Sequence, residues 1–574
     1  MKNATLDNNS ETQFSAWNPG IESQIPSAYR QLETIYRPEN VFTSREQVDE
    51  LTRETGLSHE ELVAFKPARL ALHELIIRVT ADIVVLEGEQ EEDLGIHFRE
   101  IASHIHEQYI LPQLDEIESS YQALHLRLLA SVNAELEKTL FTPPTTPQKP
   151  GLMSRLKLFQ PSKKPASKQE STAEKEFRVI ASFREQGLNC TDPEQAAVFR
   201  SLYRVLGSIA NTRGFIGRDQ AQIATITARY ATNYFGSRLI GERVADIVDY
   251  AIEQENYARI PDAQKPVLIS LKGTSAAGKS SLRPMLQDMA RELGIEDNGY
   301  GTISPDIWRR FLLDYDSLGE AYKYAGRLTS YEVNIVDSRL DSYIRRKAEQ
   351  HRSIPHLVVD RFRFDSFSSE KISRILHKTY VAYIDTMYMY FVITPPEETV
   401  TRGWQRGLAR GRYKSVEDFL GHCVEAYSGM PKLLFKWMAY KKPKYIFEFF
   451  DNSVPKGEFP ITSARGTQSK LQIFDPLIFV DIERYQHINI LATDAKSVYA
   501  RKGSIVIEDN LDFLRQCIEK FPIVEFIDPV SNKSYLQTSS GEFEITDSET
   551  LNNLQSNVDL AKVFTLLVPG LVEA

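Results

Sequence analysis

Gly273, Gly278, Lys279 and Ser280 stand in the spacing G-x-x-x-x-G-K-S, within the stretch LKGTSAAGKSSL that follows the apolar run VLIS. Glycines at those places let the backbone curl until the N–H groups of Gly273, Thr274, Ser275, Ala276, Ala277, Gly278, Lys279, Ser280 and Ser281 face an anion. A lysine after the second glycine reaches phosphate oxygens, and the next hydroxyl, Ser280, can ligate Mg2+. A helix starting there points its positive end at the same anion. The expected ligands are ATP and Mg2+. Pro284 should kink the helix that follows, because it removes a backbone donor in the second turn.

A phosphate loop alone does not say where a phosphate goes. GTPases add N-K-x-D and protein kinases add H-R-D and D-F-G; the surrounding block has none of these. It does have polar residues at strand ends, where open α/β sheets hold ligands. In TISPDIWRRF, Asp306 is either a helix N-cap or a base that takes the proton of an attacking hydroxyl. In HLVVDRFRF, Asp360 ends an apolar run, which suits a carboxylate near Mg2+, a hydrogen bond to substrate or an ordinary turn residue. Arg361 after it could pair with an anionic substrate. Arg402, Arg406 and Arg410 recur every four residues with Arg412 just beyond, and Gly403, Gly407 and Gly411 lie between them. That pattern predicts a mobile lid that neutralises charge during transfer, or a solvated basic face. Tyr322, Arg327, Thr329 and Glu332 are candidates for an acceptor pocket.

Five short apolar runs, PVLISLKG, YGTIS, HLVVD, YMYFVIT and KYIFEFF, alternate with long helical segments and must position these residues. They predict a central α/β domain over 261–464, with a mainly parallel sheet and helices on both faces. The chain is expected to be multidomain: an irregular segment over 1–44, a helical region over 45–140, a Pro/Ser/Lys-rich linker over 141–175, a second helical region over 176–260, and a small α+β domain over 465–574. Ser44 and Gln47 have capping-box spacing. LALHELIIRVTADIVVL carries His73, Glu74, Arg78 and Asp82, so it reads as a core helix and not a membrane span.

A net charge of −10 argues against a protein that coats nucleic acid. Cys190, Cys423 and Cys517 lie far apart, which suits a reducing, cytoplasmic setting. His97, His104 and His106 cluster, but without H-E-x-x-H or a carboxylate set they read as packed or surface histidines. The residues alone leave three functions open: a kinase acting on a hydroxyl, a nucleotide-binding regulatory protein without transfer, and a polynucleotide kinase.

The order GTSAAGKSSL, SPDIWRRF, EVNIVDSRLDSYI, HLVVDRF and then an arginine-rich segment resembles the zeta-toxin family of P-loop kinases, over roughly residues 262 to 460. That resemblance implies phosphorylation of a hydroxyl on a UDP-N-acetylated amino sugar. Lys279 and Ser280 match its nucleotide-binding pair and Asp306 its catalytic aspartate, while Asp360 stands where the family often has glutamate. It also implies a toxin-like effector, acting in a host cytosol if exported, whose helical N-terminal regions restrain it or meet a protein partner.

Overall fold

The computed structural model describes residues 14–88, 92–141, 171–295, 299–361, 380–455, 458–499, 505–539, 541–554 and 556–568, and only the backbone of Ser280 and Ser281. The chain divides into two units. One comprises Met1–Thr34, Ile76–His104 and Ala251–Ala574, the other Ile35–Leu75 and Ile105–Tyr250.

The second unit is helical. The capping box expected at Ser44 forms, with the Ser44 side chain accepting from the Gln47 N–H. The Leu114–Thr139 helix buries Ile117, Tyr121, Leu124, Leu128, Val132 and Leu136, three or four residues apart along one face. His125 on this helix meets the Thr232 hydroxyl at 3.0 Å, and Arg127 grips Glu194 at the start of the Pro193–Arg213 helix. The second unit thus takes residues from both helical regions expected on either side of the linker, while residues 76–104 and 251–260 of those regions belong to the first unit. Of the linker itself, residues 142–170 lie outside the described residues, and the Thr172–Asn189 helix starts within its expected end.

The first unit is built on a ten-stranded sheet in the order β10-β9-β8-β7-β6-β5-β4-β1-β3-β2. The five runs read from the sequence are β1 (Val267–Gly273), β2 (Tyr300–Ile303), β3 (His356–Val359), β4 (Thr386–Ile393) and β5 (Lys444–Asp451). All of their mutual pairings are parallel. Each β4 side chain goes to the face its position dictates. Tyr390 and Val392 join Leu282 and Leu286 on one side. On the other, Phe391 stacks on its register neighbour Phe449 at 4.6 Å, and Phe449 packs on Phe479 and Phe513. Helices thus cover both faces, as a buried parallel sheet requires.

The C-terminal part is not a separate sheet. β6 (Ile461–Thr467) crosses the expected boundary at 464 and pairs antiparallel with β5. β7 (Lys470–Ile473), β8 (Ile523–Ile527), β9 (Ser534–Ser539) and β10 (Glu542–Ile545) then add outward. The physical reason is edge pairing: β5 has backbone groups on its far side that must be satisfied, and the tail supplies them.

Residues 14–34 form turns and a 3-10 helix at Ser27–Leu32. Ile21, Ile25, Tyr29 and Leu32 pack on Leu313, Tyr315, Leu318 and Tyr324, so much of the tyrosine-rich stretch is covered core. In the apolar Pro67–Asp82 helix, Asp82 is buried but accepts from Lys347 and Tyr343 at 2.8 and 2.7 Å. Among the described residues, no helix is long and apolar enough to cross a membrane.

Candidate active site

β1 delivers the chain into the glycine loop. Ala276 and Gly278 both have positive φ, 62° and 85°, and such a reversal turns successive N–H groups toward one point. The loop is braced from beneath: the Ala277 carbonyl accepts from the Thr394 hydroxyl at 3.0 Å and from the Asn452 amide at 2.6 Å. Thr274 is fully buried and meets the Cys423 sulfur at 3.5 Å. Burial pushes the Cys423 thiol up to about 11, so it serves as a neutral packing group. Lys279 Nζ donates to the Gly273 and Thr274 carbonyls at 3.3 Å and lies 3.8 Å from Asp360 Oδ1. Residues Lys279–Leu282 form a 3-10 turn before the Arg283–Glu292 helix. Pro284 therefore falls in that helix's first turn, where its missing N–H costs nothing, and the expected kink does not arise. Asn452→Ala removes one of two braces and should weaken ATP binding roughly three- to tenfold, as measured by titration calorimetry.

Asp306 sits in the 3-10 turn Pro305–Trp308 after β2. Ser304 occupies the N-cap place, and the Asp306 carboxylate caps nothing. Instead both of its oxygens hold guanidiniums: Arg309 Nε at 2.8 Å and Arg412 Nη2 at 2.5 Å. Burial works to raise this carboxyl, and Arg412 and Arg309 overcome it, holding it well below the usual carboxylate range. Arg309 is itself anchored on the Gly326 carbonyl and the Thr329 hydroxyl.

The four arginines do four different things. Arg402 donates to Glu398 and to the carbonyls of Asn452 and Val454, tying its helix to the loop after β5. Arg406 reaches the glycine loop, 3.3 Å from Ser275 Oγ. Arg410 pairs with Glu92 at 2.7 Å. Arg412 holds Asp306. Two of the glycines between them, Gly403 and Gly407, sit where close packing leaves no room for a side chain. A Cβ on Gly403 would lie 2.0 Å from Phe419, and one on Gly407 2.5 Å from Tyr413. The Pro396–Arg410 helix is pressed against the Val416–Met438 helix and the Tyr413 ring, a tight fit that larger residues would break.

Asp360 follows β3, and its Oδ1 lies 3.8 Å from Lys279 Nζ. Arg361, expected to pair with an anionic substrate, is buried with its guanidinium on Asp337 at 3.0 Å and Asp341 at 2.7 Å, both on the Ser330–His351 helix. Glu332 is fully buried near the start of that helix. Arg327 pairs with Asp418, and Thr329 is the buried hydroxyl that anchors Arg309. Among the described residues, no three His, Cys, Asp or Glu are grouped to hold a metal. His97 meets the Leu86 carbonyl and His104 pairs with Glu255.

Three further groups belong to the site. Lys272, on β1, is fully buried, and burial together with Arg361 pushes its amine well below the usual lysine range. Its signal in the sequence is a lysine inside an apolar strand. Lys414 lies 3.2 Å from His422 Nδ1. Burial, with Arg406 next, pushes Lys414 down to about 7. Burial, then Lys414, Arg327 and Lys279, drives His422 far down, so its ring is neutral. No local motif marks that pair.

No family model and no curated protein matches the sequence. Among solved structures, the chain is similar to the AvrRxo1-ORF1:AvrRxo1-ORF2 complex with sulphate ions, at 15% identity over 38% of this chain and 63% of that chain, with a TM-score of 0.30. The same complex with ATP matches at 16% identity, 38% and 63% coverage and a TM-score of 0.30. The PezAT toxin-antitoxin system of Streptococcus pneumoniae matches at 16% identity, over 33% of this chain and 70% of that one, with a TM-score of 0.23.

Proposed function

We propose that this chain is an ATP- and Mg2+-dependent kinase that moves the γ-phosphoryl group to a substrate hydroxyl. One observation supports the reading: a single helix and its following loop bring Arg406 to Ser275 of the glycine loop and Arg412 to Asp306, the two ends that a transferred phosphoryl group would span in this reading.

In this reading the loop N–H groups and Lys279 hold the triphosphate. Asp360, with Ser280 from the motif, suits Mg2+, which takes one or two carboxylates and otherwise keeps water and phosphate oxygens. The ion would neutralise charge on the phosphates. Arg309 holds Asp306 Oδ1 in place, leaving Oδ2 to orient the hydroxyl once Arg412 turns to the transferred group. An aspartate of such low basicity takes the proton late, which suits the loose transition state of phosphoryl transfer. The acceptor is a small molecule, with a UDP-N-acetyl sugar as first candidate from the resemblance in sequence order. The helical unit is the surface for a protein partner; Phe177, Leu188 and Phe215 are exposed on it.

The test uses purified chain, Mg2+ and γ-labelled ATP with UDP-N-acetylglucosamine, a metabolite extract and an oligonucleotide as acceptors. Lys279→Ala should lower transfer by about 10²–10³-fold. Label on the sugar nucleotide supports kinase and substrate together, and label on the oligonucleotide replaces the acceptor. Bound ATP with no labelled acceptor in any arm would leave a nucleotide switch.

A further inference from the structure

We propose that Lys414, held by His422, is a catalytic residue that contacts the phosphoryl group in flight between the phosphate loop and Asp306. The inference rests on the kinase reading and adds a cation to its machinery.

The geometry begins with the loop Gly411–Ser415, which joins the Pro396–Arg410 and Val416–Met438 helices without regular structure. Arg412 reaches Asp306, and Lys414, two residues on in the same loop, feels the charges of Asp306, Arg309 and Arg412. Tyr413 between them packs against Trp404 and Tyr322. The floor is the Val416–Met438 helix. There Cys423 touches Thr274 of the phosphate loop, and its neighbour His422 faces Lys414 at 3.2 Å. His422 feels the charges of Lys279 on the nucleotide side and Asp306 on the acceptor side. The lysine amine thus lies against a histidine that feels Lys279 on one side, and itself feels the charge of Asp306 on the other.

The charged groups around Lys414 come from every neighbouring element: Arg406 from the preceding helix, Asp306 and Arg309 from the turn after β2, Arg412 from its own loop, and neutral His422 from the floor. Three guanidiniums and burial disfavour its proton. A bound triphosphate would favour it. In the transfer, the bond from the γ-phosphorus to the bridging oxygen breaks and its electrons leave with ADP. The hydroxyl oxygen forms the new bond, and its proton passes to Asp306 and then to water. Lys414 donates to an equatorial phosphoryl oxygen throughout.

The pH signs follow. In the free enzyme the Lys414 cation is lost as pH rises through about 7, so kcat/KM should fall over that range. Lys414→Arg should abolish that limb. An unfolded lysine keeps its proton to near 10.5, so this group lowers stability fully below pH 7 and the cost is relieved as pH rises above it.

The experiment has two arms on the full chain. In the first, pulsed acylation with mass spectrometry reads the titration of Lys414 directly, with and without saturating ATP and Mg2+. The midpoint should lie near 7 and rise by about one pH unit or more when ATP binds. In the second, Lys414→Met should lower kcat by about 10²-fold with ATP affinity within about threefold of wild type. His422→Leu should lower kcat at least about tenfold, and His422→Gln, which keeps a hydrogen-bond acceptor, should restore most of it. ATP that binds without moving the Lys414 midpoint sinks the lysine's role and leaves the kinase reading standing. A chain that binds no ATP sinks both.

Discussion

Asp306→Asn should lower phosphoryl transfer by about 10³-fold while ATP affinity stays within about threefold, since a positioned proton acceptor contributes on the order of 10²–10⁴. The structure sharpens this expectation. Asparagine keeps the shape and one carbonyl oxygen for Arg309, but it cannot balance Arg309 and Arg412 together with Lys414 nearby. Some local loosening of Arg412 is therefore expected, and the measurement should pair single-turnover transfer with calorimetric ATP binding. A variant that loses both equally would make Asp306 a structural clamp and remove it from the chemistry. One that keeps transfer within tenfold would point to another base.

The second large effect concerns Arg361. Arg361→Met should destabilise the first unit by roughly 3–5 kcal/mol, because it strands Asp337 and Asp341 without their cation. Adding Asp337→Asn and Asp341→Asn should recover most of that loss, since neutral amides need no countercharge. Denaturant unfolding of the three proteins reads the result. If Arg361→Met leaves stability unchanged and raises KM for the acceptor, the arginine meets substrate after all. Tyr380, whose hydroxyl is 2.5 Å from Asp341, ties the same cluster to the approach to β4.

The sequence revealed the parallel strands because strands buried on both faces are written as nearly unbroken apolar runs. It revealed the glycine loop after β1 because the curl demands glycine at fixed places. It misled at the arginine helix. Glycines four apart signal weak helix propensity, and the same spacing also clears a path for a close neighbour; only Phe419 and Tyr413 decide between them. Arg361 looked available because its carboxylate partners, Asp337 and Asp341, sit in another helix and leave no local mark. Lys414 and His422 were silent for the same reason, being eight residues apart on a loop and a helix. The C-terminal segment was readable as a mix of helix and strand, but which edge its strands join is a long-range pairing that no local pattern encodes.

That edge has a practical meaning for anyone who wishes to study the parallel part of the sheet by itself. β5 is the seam of the ten-stranded sheet, parallel on one side and antiparallel on the other. A chain cut near residue 460, where the family resemblance ends, would leave β5 as a bare rim carrying Phe447, Phe449 and Phe450. An aromatic rim of that kind invites a second molecule to zip onto it. The C-terminal strands thus act as a permanent selvedge, keeping the parallel sheet from fraying into its neighbours.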